Sequence, residues 1–380
     1  MVRKKRDDYH PRNNRMGNNI ITNANKTVFV GMSGGVDSSV AAALLKEQGY
    51  NVVGVYMKNW SKNLPGMKCP WAEDLADAKR VAVKLDIDFR VFDFEKEYKQ
   101  KVVDYMLDEF KLGRTPNPDV MCNQEIKFKL FYDIARAQGA DYIATGHYAK
   151  TDGKNLLRAK DENKDQTYFL YRISSEAISH TLFPLGDMLK PDVKKLAEKM
   201  GLHNAYKKES MGVCFVGEVN IKDFLKEYID EKPGEIKDIF TGEMLGYHEG
   251  AVFYTIGQRH GLNIGGGIPY YVVKKDVDKN IIYVSQKLDS SELWTKELEI
   301  ENVILRMNEK VDAHDDISIY NNLAVRLRHR APLIHAKLKS VGKKTTIVFD
   351  KEIKTPAAGQ SAVVYGGDNY GICLGGGIIK

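Results

Sequence analysis

The chain has 380 residues, 43% of them hydrophobic and 28% charged, with a formal net charge of +6. That is the composition of a soluble globular protein, and the length exceeds one ordinary core, so two or three domains are expected. Neither a membrane span nor a secretory signal is expected, because the longest wholly apolar run is Val40 to Leu45 and the basic start lacks an apolar core.

In chain order, residues 1–25 read as a disordered basic leader; its first 15 residues hold six Lys/Arg and two Asp. They take about +4 of the net charge of +6, so global charge argues nothing about nucleic acid and only local patches can. "KTVFVGM" (Lys26 to Met32) then reads as a buried strand, and Asp37 to Gln48 as a helix ended by Gly49. Strands follow at Asn51 to Lys58, Asp88 to Phe94 and Ala140 to Tyr148, with helices over Trp71 to Leu85, Glu97 to Leu112 and Lys127 to Gln138. This β-α-β-α rhythm predicts an α/β fold, a doubly wound parallel sheet covered on both faces, over 26–217. Ligands of such sheets bind beyond the carboxyl ends of the strands, where Gly31, Met57 and Gly146 fall. After Gly217 a helix around Ile221 to Asp230 leads into Gly-rich, strand-like segments, a small central mostly-β domain over 218–296. From 297 to 380 short alternating strands predict an antiparallel β-barrel.

"GMSGGVDSS" (Gly31 to Ser39) joins the first strand to the first helix. It has neither the lysine of a Walker A loop nor the spacing of a Rossmann fingerprint. Backbone N–H groups at a helix N-terminus, with Ser33, Ser38 and Ser39, form an anion cradle, and Asp37 is placed to hold Mg²⁺. Such a cradle suits the pyrophosphate part of ATP and favours adenylate transfer; the plain alternative is a tight turn with Ser/Asp caps. "S-G-G-x-D-S" after a first strand resembles the PP-loop of ATP pyrophosphatases.

Cys69, Cys122, Cys214 and Cys373 form no C-x-x-C pair and no cluster with zinc spacing, so neither a structural metal site nor a permanent disulfide framework is expected. In "GRTPNPDVMCNQEIKF" (Gly113 to Phe128) the two prolines predict an exposed loop. One helical turn after them would bring Asp119 and Cys122 to the same side, with the thiol favoured by the helix's positive end. In "KKESMGVCFVG" (Lys207 to Gly217) Cys214 sits between glycines after two lysines, a setting suited to a reactive thiolate. Cys69 and Cys373 read as structural. An adenylating loop with two reactive cysteines points to sulfur transfer. Adenylation turns a carbonyl oxygen into a leaving group, a persulfide on one cysteine supplies sulfur, and the other thiol resolves it through a transient disulfide.

Together "GMSGGVDSSV", "GRTPNPDVMCNQEIKF", "ATGHYA", "KDQTYFLY", "MGVCFVG", "YTIGQRHGL" and "GQSAVVY" resemble, in this order, the tRNA-specific 2-thiouridylases (the MnmA/TrmU family) from Val28 to Gly375. The resemblance implies ATP-dependent replacement of the 2-oxygen of wobble uridine (position 34) by sulfur, giving 2-thiouridine, AMP and pyrophosphate. It implies ATP binding by Gly31, Met32, Ser33, Gly34, Gly35, Val36, Asp37 and Ser38, with Met57 and Gly146 near the nucleotide. It implies Cys122 as the thiol nucleophile, a persulfide on Cys214, a transient Cys122–Cys214 disulfide, and Asp119 as an acid/base. Asn117, Pro118 and Asp119 match positions touching the target base. His147, Lys164, Asp165, Gln166, Arg328, His329 and Gln360 match tRNA-contacting positions. It implies tRNAs for Lys, Glu and Gln as partners, a cysteine desulfurase or a relay protein as sulfur donor, and a cytoplasmic setting.

Locally, "VRLRHRAPLIHAKLKSVGKK" (Val325 to Lys344) holds seven Lys/Arg and no acid. As a strand it would put Arg326, Arg328 and Arg330 on one face, a cationic stripe for phosphates. Two rival readings remain at this point: a small-molecule ATP pyrophosphatase, which needs no cysteine pair, and a nucleotide-sensing RNA-binding module without catalysis.

Overall fold

A computed structural model of the chain describes residues 23–63, 69–208, 221–265, 267–287, 293–307, 313–314 and 317–380. The expectations for Cys214 and for residues 1–22 of the leader lie outside the described residues.

β1 (Thr27–Gly31), β2 (Asn51–Lys58), β3 (Asp88–Asp93), β4 (Tyr142–Thr145) and β7 (Thr181–Leu182) form a parallel sheet in the order β3-β2-β1-β4-β7. Side chains alternate across β1, so Phe29 enters one core while Val28 and Val30 enter the other. Under Val28 and Val30 pack α1 (Val36–Glu47), α2 (Trp71–Leu85) and α9 (Lys190–Lys199). On Phe29 pack α3 (Glu95–Tyr98), which runs through a π turn into α4 (Asp104–Lys111), and a second interrupted helix. That second helix is α5 (Pro118–Met121), a π-type stretch Cys122–Leu130, and α6 (Phe131–Ala137). The doubly wound architecture is the one the alternation predicts.

Helix is continuous through Cys122, which has φ −58° and ψ −45°. Pro118 begins it instead of forbidding it, because the first helical position needs no N–H. The loop before it is not exposed as expected: Pro116 and Pro118 are buried between domains. β5 (Lys150–Thr151) and β6 (Leu156–Leu157) form a hairpin, and α7 (Thr167–Leu170) and α8 (Ser175–Ser179) complete the domain.

After α10 (Ile221–Lys226), β8 (Gly234–Asp238), β9 (Met244–His248), β10 (Tyr271–Asp276) and β11 (Ile281–Ser285) form a four-stranded sheet in the order β10-β11-β8-β9. The last unit comprises β12 (Trp294–Leu305), β13 (Ala313–His314), β14 (Ile317–Arg326), β15 (Ile334–Val341), β16 (Lys344–Lys354), β17 (Ser361–Gly366) and β18 (Ile372–Ile379). Six of these close into an antiparallel barrel, since β12 pairs with both β16 and β18. The hairpin of the first unit extends this sheet, because β6 pairs with β18.

The units are joined by buried charge. Asp165 has no exposed side-chain surface and accepts from Thr167 Oγ1 (2.9 Å) and from Arg326 Nη1 (2.8 Å) of β14. This corrects one expectation: Arg326 is buried with Asp165, not part of a surface stripe. β14 ends at Arg326, so Arg328 and Arg330 lie in the following turn, Arg330 at φ +63°. The exposed cations of this region instead include Lys337 and Lys339 on the outer face of β15.

Candidate active site

A cavity of about 280 Å³ opens beyond the carboxyl ends of β1, β2 and β4. Gly31, Met32 and Ser33 line it from the β1 end, Asp37 and Ser38 from α1, Met57, Asn59 and Trp60 from the β2 end, and Thr145, Gly146 and His147 from the β4 end. Trp71, Asp74, Lys127 and Gln166 close its sides. α1 starts at Gly35 with no side-chain cap, so its first-turn amides remain for an anion. Gly146 must lack a side chain, because a Cβ there would lie 2.6 Å from the Ser38 nitrogen.

The three serines do different things. Ser38 Oγ donates to the Gly35 carbonyl (3.2 Å) and accepts from the Ser33 N–H (3.2 Å), holding the loop in shape at the cavity wall. Ser39 does not face the anion as expected. It is fully buried, donates to the Gly35 carbonyl and accepts from Asn204 Nδ2 (2.9 Å). Val36 likewise turns its side chain into the core.

A lysine from 153 residues along the chain meets the loop behind the cavity wall. Lys190 Nζ bonds both Asp37 oxygens at 2.7 Å, and Tyr148 Oη donates to the same carboxylate at 3.0 Å. Sequence reasoning missed Lys190. Its one local oddity is a cation at the positive end of a helix, where the macrodipole disfavours it. With Lys190 on both of its oxygens, Asp37 is not a ready magnesium ligand. Among the described residues no three His, Cys, Asp or Glu side chains are grouped to hold a metal ion.

Gln166 belongs to this cavity: its Oε1 accepts from the Tyr148 N–H (2.9 Å). His147 does too, with Nδ1 2.8 Å from Thr145 Oγ1 and its ring against Phe128. Cys69 lines the same cavity, its thiol pushed up by burial. Cys373, buried in the barrel, is pushed up by burial to about 11, as suits a structural residue.

Cys122 is buried on the sheet-facing side of its helix, in the same core cluster as Trp60 and Cys69. Asp119, three residues earlier in unbroken helix, shares its face, and Lys127 carries the same helix to the nucleotide cavity. Lys207, expected to favour the Cys214 thiolate, is instead committed to Asp74 (2.8 Å) and Asp77 (2.6 Å) of α2. Asn117 precedes the helix. Arg328 is exposed beyond β14, and the His329 ring stacks 4.6 Å from that of Phe169. Gln360 is half-buried, and its Nε2 donates to the Thr115 carbonyl (2.7 Å). Lys164 is half-buried beside Asp165.

Burial, then neighbouring arginines, hold the His329 imidazole down to about 4, and burial with Lys127 holds His147 well below its ordinary range. Folded values below the unfolded value of 6.5 mean that acid favours the unfolded chain, which takes up protons the fold refuses. The melting temperature is therefore expected to hold above about pH 7 and fall toward about pH 4, with a shallower slope in His329→Phe. An unchanged slope in that variant would show that His329 is not among the groups responsible.

Family models match most of the chain: a "tRNA methyl transferase HUP domain" over residues 26–218, a "tRNA methyl transferase PRC-barrel domain" over 222–286 and an "Aminomethyltransferase beta-barrel domain" over 306–379. Among curated relatives, the chain is 47% identical over 362 residues to the tRNA-specific 2-thiouridylase MnmA of Listeria monocytogenes serotype 4b, covering 94% of this chain and 95% of that one. It is 46% identical to the MnmA protein of Bacillus licheniformis (93% and 94% covered). It is 47% identical to MnmA 1 of Geobacillus kaustophilus (93% and 95% covered).

Proposed function

Since the chain belongs to the tRNA-specific 2-thiouridylase family, we propose that it is a tRNA-uridine 2-sulfurtransferase acting on the wobble uridine at position 34. The observation that carries the reading is one cavity shared by the PP-loop and the helix of Cys122. ATP binds with its phosphates on the first turn of α1 and its base toward Met57 and Gly146. Magnesium enters on the phosphates of ATP, since Lys190 occupies Asp37. Reaching the 2-carbonyl requires the uridine to leave the anticodon stack.

The uridine O2 attacks the α-phosphorus and pyrophosphate departs. The terminal sulfur of a Cys214 persulfide then bonds to C2, and AMP leaves with the former O2. Cys122 thiolate attacks the Cys214 sulfur, the S–S bond to the base breaks, and the electron pair stays on the sulfur of 2-thiouridine. The two cysteines are left oxidised as a disulfide, which an external dithiol must reduce before the next turnover. Asp119, on the face of Cys122, takes or returns the proton at the thiol or the base. Asn117 and Pro118 hold the base, and Lys164, Arg328 and His329 meet the tRNA around it. The tRNAs are those for Lys, Glu and Gln, the donor is a cysteine desulfurase or a relay protein, and the setting is cytoplasmic. Among the described residues no helix is long and apolar enough to cross a membrane.

The test is incubation of the protein with ATP, Mg²⁺, a persulfide donor, a dithiol reductant and unmodified tRNA, followed by mass spectrometry for 2-thiouridine. Product is expected with wild type, and with a persulfide donor Cys122→Ser and Cys214→Ser should each abolish it. A small-molecule ATP pyrophosphatase would be indifferent to both substitutions.

A further inference from the structure

We infer that Asn204 is a positioning residue: from outside the PP-loop it fixes the Gly34–Gly35 peptide so that the Gly35 N–H faces the phosphate side. The inference rests on the reading that this loop takes the pyrophosphate part of ATP; the geometry stands on the fold alone. Asn204 is only 3% exposed, and its Nδ2 donates to the Gly34 carbonyl (2.9 Å) and to Ser39 Oγ (2.9 Å). In a trans peptide the carbonyl and the following N–H point in opposite directions. With the Gly34 oxygen drawn to Asn204, the Gly35 N–H is turned the other way, to Ser33 Oγ on the cavity wall. That contact is long, 3.4 Å, so the amide is lightly held and can pass to an arriving anion.

The peptide lies between two glycines, so no Cβ on either side opposes its rotation. Rotated by half a turn, it would bury its N–H and show a carbonyl oxygen to the phosphates. The Asn204 amide favours the first orientation, because it gives the buried Gly34 carbonyl a donor. Asn204 is itself held in place. Its turn is pinned to α2 on both sides, by His203 Nε2 at 3.1 Å from Asp77 and by Lys207 on Asp74 and Asp77. Gly34, at φ +78°, lies against the same helix, where a Cβ would run into the Asp74 carbonyl. The PP-loop, α2 and the turn at 203–207 thus make one frame, set before a nucleotide arrives.

Asn204→Leu keeps the size of the side chain and removes the donor. Calorimetric titration with Mg²⁺ is expected to show ATP and inorganic pyrophosphate bound about tenfold to a hundredfold more weakly, as for a lost hydrogen bond to a charged group, with adenosine within about twofold of wild type. Gly35→Ala closes off the rotated peptide, since rotation would carry Gly35 from φ −85° to a positive φ that alanine avoids. Added to that background, Asn204→Leu should cost less than about threefold in pyrophosphate affinity. Three results would overturn the inference: the full cost persisting in that background, adenosine weakened as much as pyrophosphate, or pyrophosphate within about threefold of wild type in Asn204→Leu alone. If Asn204→Leu misfolds, Asn204→Ala carries the same expectations. Should wild type bind neither ATP nor pyrophosphate, the nucleotide reading fails by itself and hydrogen exchange decides. Faster exchange at residues 33–39 in the variant, with β1 unchanged, then upholds the role of Asn204, and unaltered exchange refutes it.

Discussion

Lys190→Ala is expected to cut ATP-dependent pyrophosphate release about a hundredfold to a thousandfold, the usual cost of removing one preorganised charge from a reacting oxyanion. The ammonium is almost wholly buried, with 8% of its side chain exposed, and it stands on both oxygens of Asp37. Its place is therefore fixed before any nucleotide arrives. In the alanine variant Asp37 would keep Tyr148 and lose its cation, leaving a negative charge in the wall of a cavity meant for phosphates. Repulsion of ATP would raise KM, and loss of positive charge as pyrophosphate departs would lower kcat. Lys190→Arg retains the charge in a larger, planar group and should recover part of the KM effect but little of kcat, because the fork cannot occupy the same point. The measurement is pyrophosphate release with unmodified tRNA at varied ATP. Activity within about threefold of wild type in Lys190→Ala would show that Lys190 merely neutralises Asp37.

The second large effect concerns stability. Arg326→Ala should lower the unfolding free energy by about 3–5 kcal/mol, the range for breaking one side of a buried ion pair. The alanine leaves the Asp165 carboxylate with no exposed side-chain surface, hydrogen-bonded by Thr167 and the Ala159 N–H, and with the more distant Arg158 (3.8 Å) as its remaining cation. Because the pair spans the first unit and the barrel, the loss should appear as earlier unfolding of both. The double variant Asp165→Asn/Arg326→Met removes both charges and keeps an acceptor for Thr167, so it should regain most of the loss. Urea denaturation followed by circular dichroism measures both variants. A change under about 1 kcal/mol for Arg326→Ala would mean that water reaches Asp165 and screens it.

These residues mark how far the chain could be read without coordinates. The parallel sheet was legible because strands buried on both faces leave short continuous apolar runs, and the helices between them leave helical periods, in the order of the chain. Gly31, Met57 and Gly146 were legible for the same reason: strand ends are where cavities of such sheets open. Lys190 was not, since what brings it to Asp37 is the packing of α9 against α1, a fact of tertiary structure with no local signature. The burial of Asp165 was not legible either, since its partner Arg326 lies 161 residues away. The prolines before Cys122 do exclude helix ahead of Pro118, but whether such a loop is bare or covered depends on what folds over it. Arg326 shows the same limit, for strand alternation gives the face of a side chain without saying which face is covered.

The pairing of β6 with β18 bears on how this protein can be dissected. A fragment beginning at the barrel would lose the short hairpin that borders β18, and raw N–H and C=O groups there would invite another copy to dock. A cut made at the boundary suggested by chain order thus severs a ladder that chain order does not reveal. Expressed alone, the barrel should self-associate, and adding back a peptide spanning residues 148–160 should make it monodisperse.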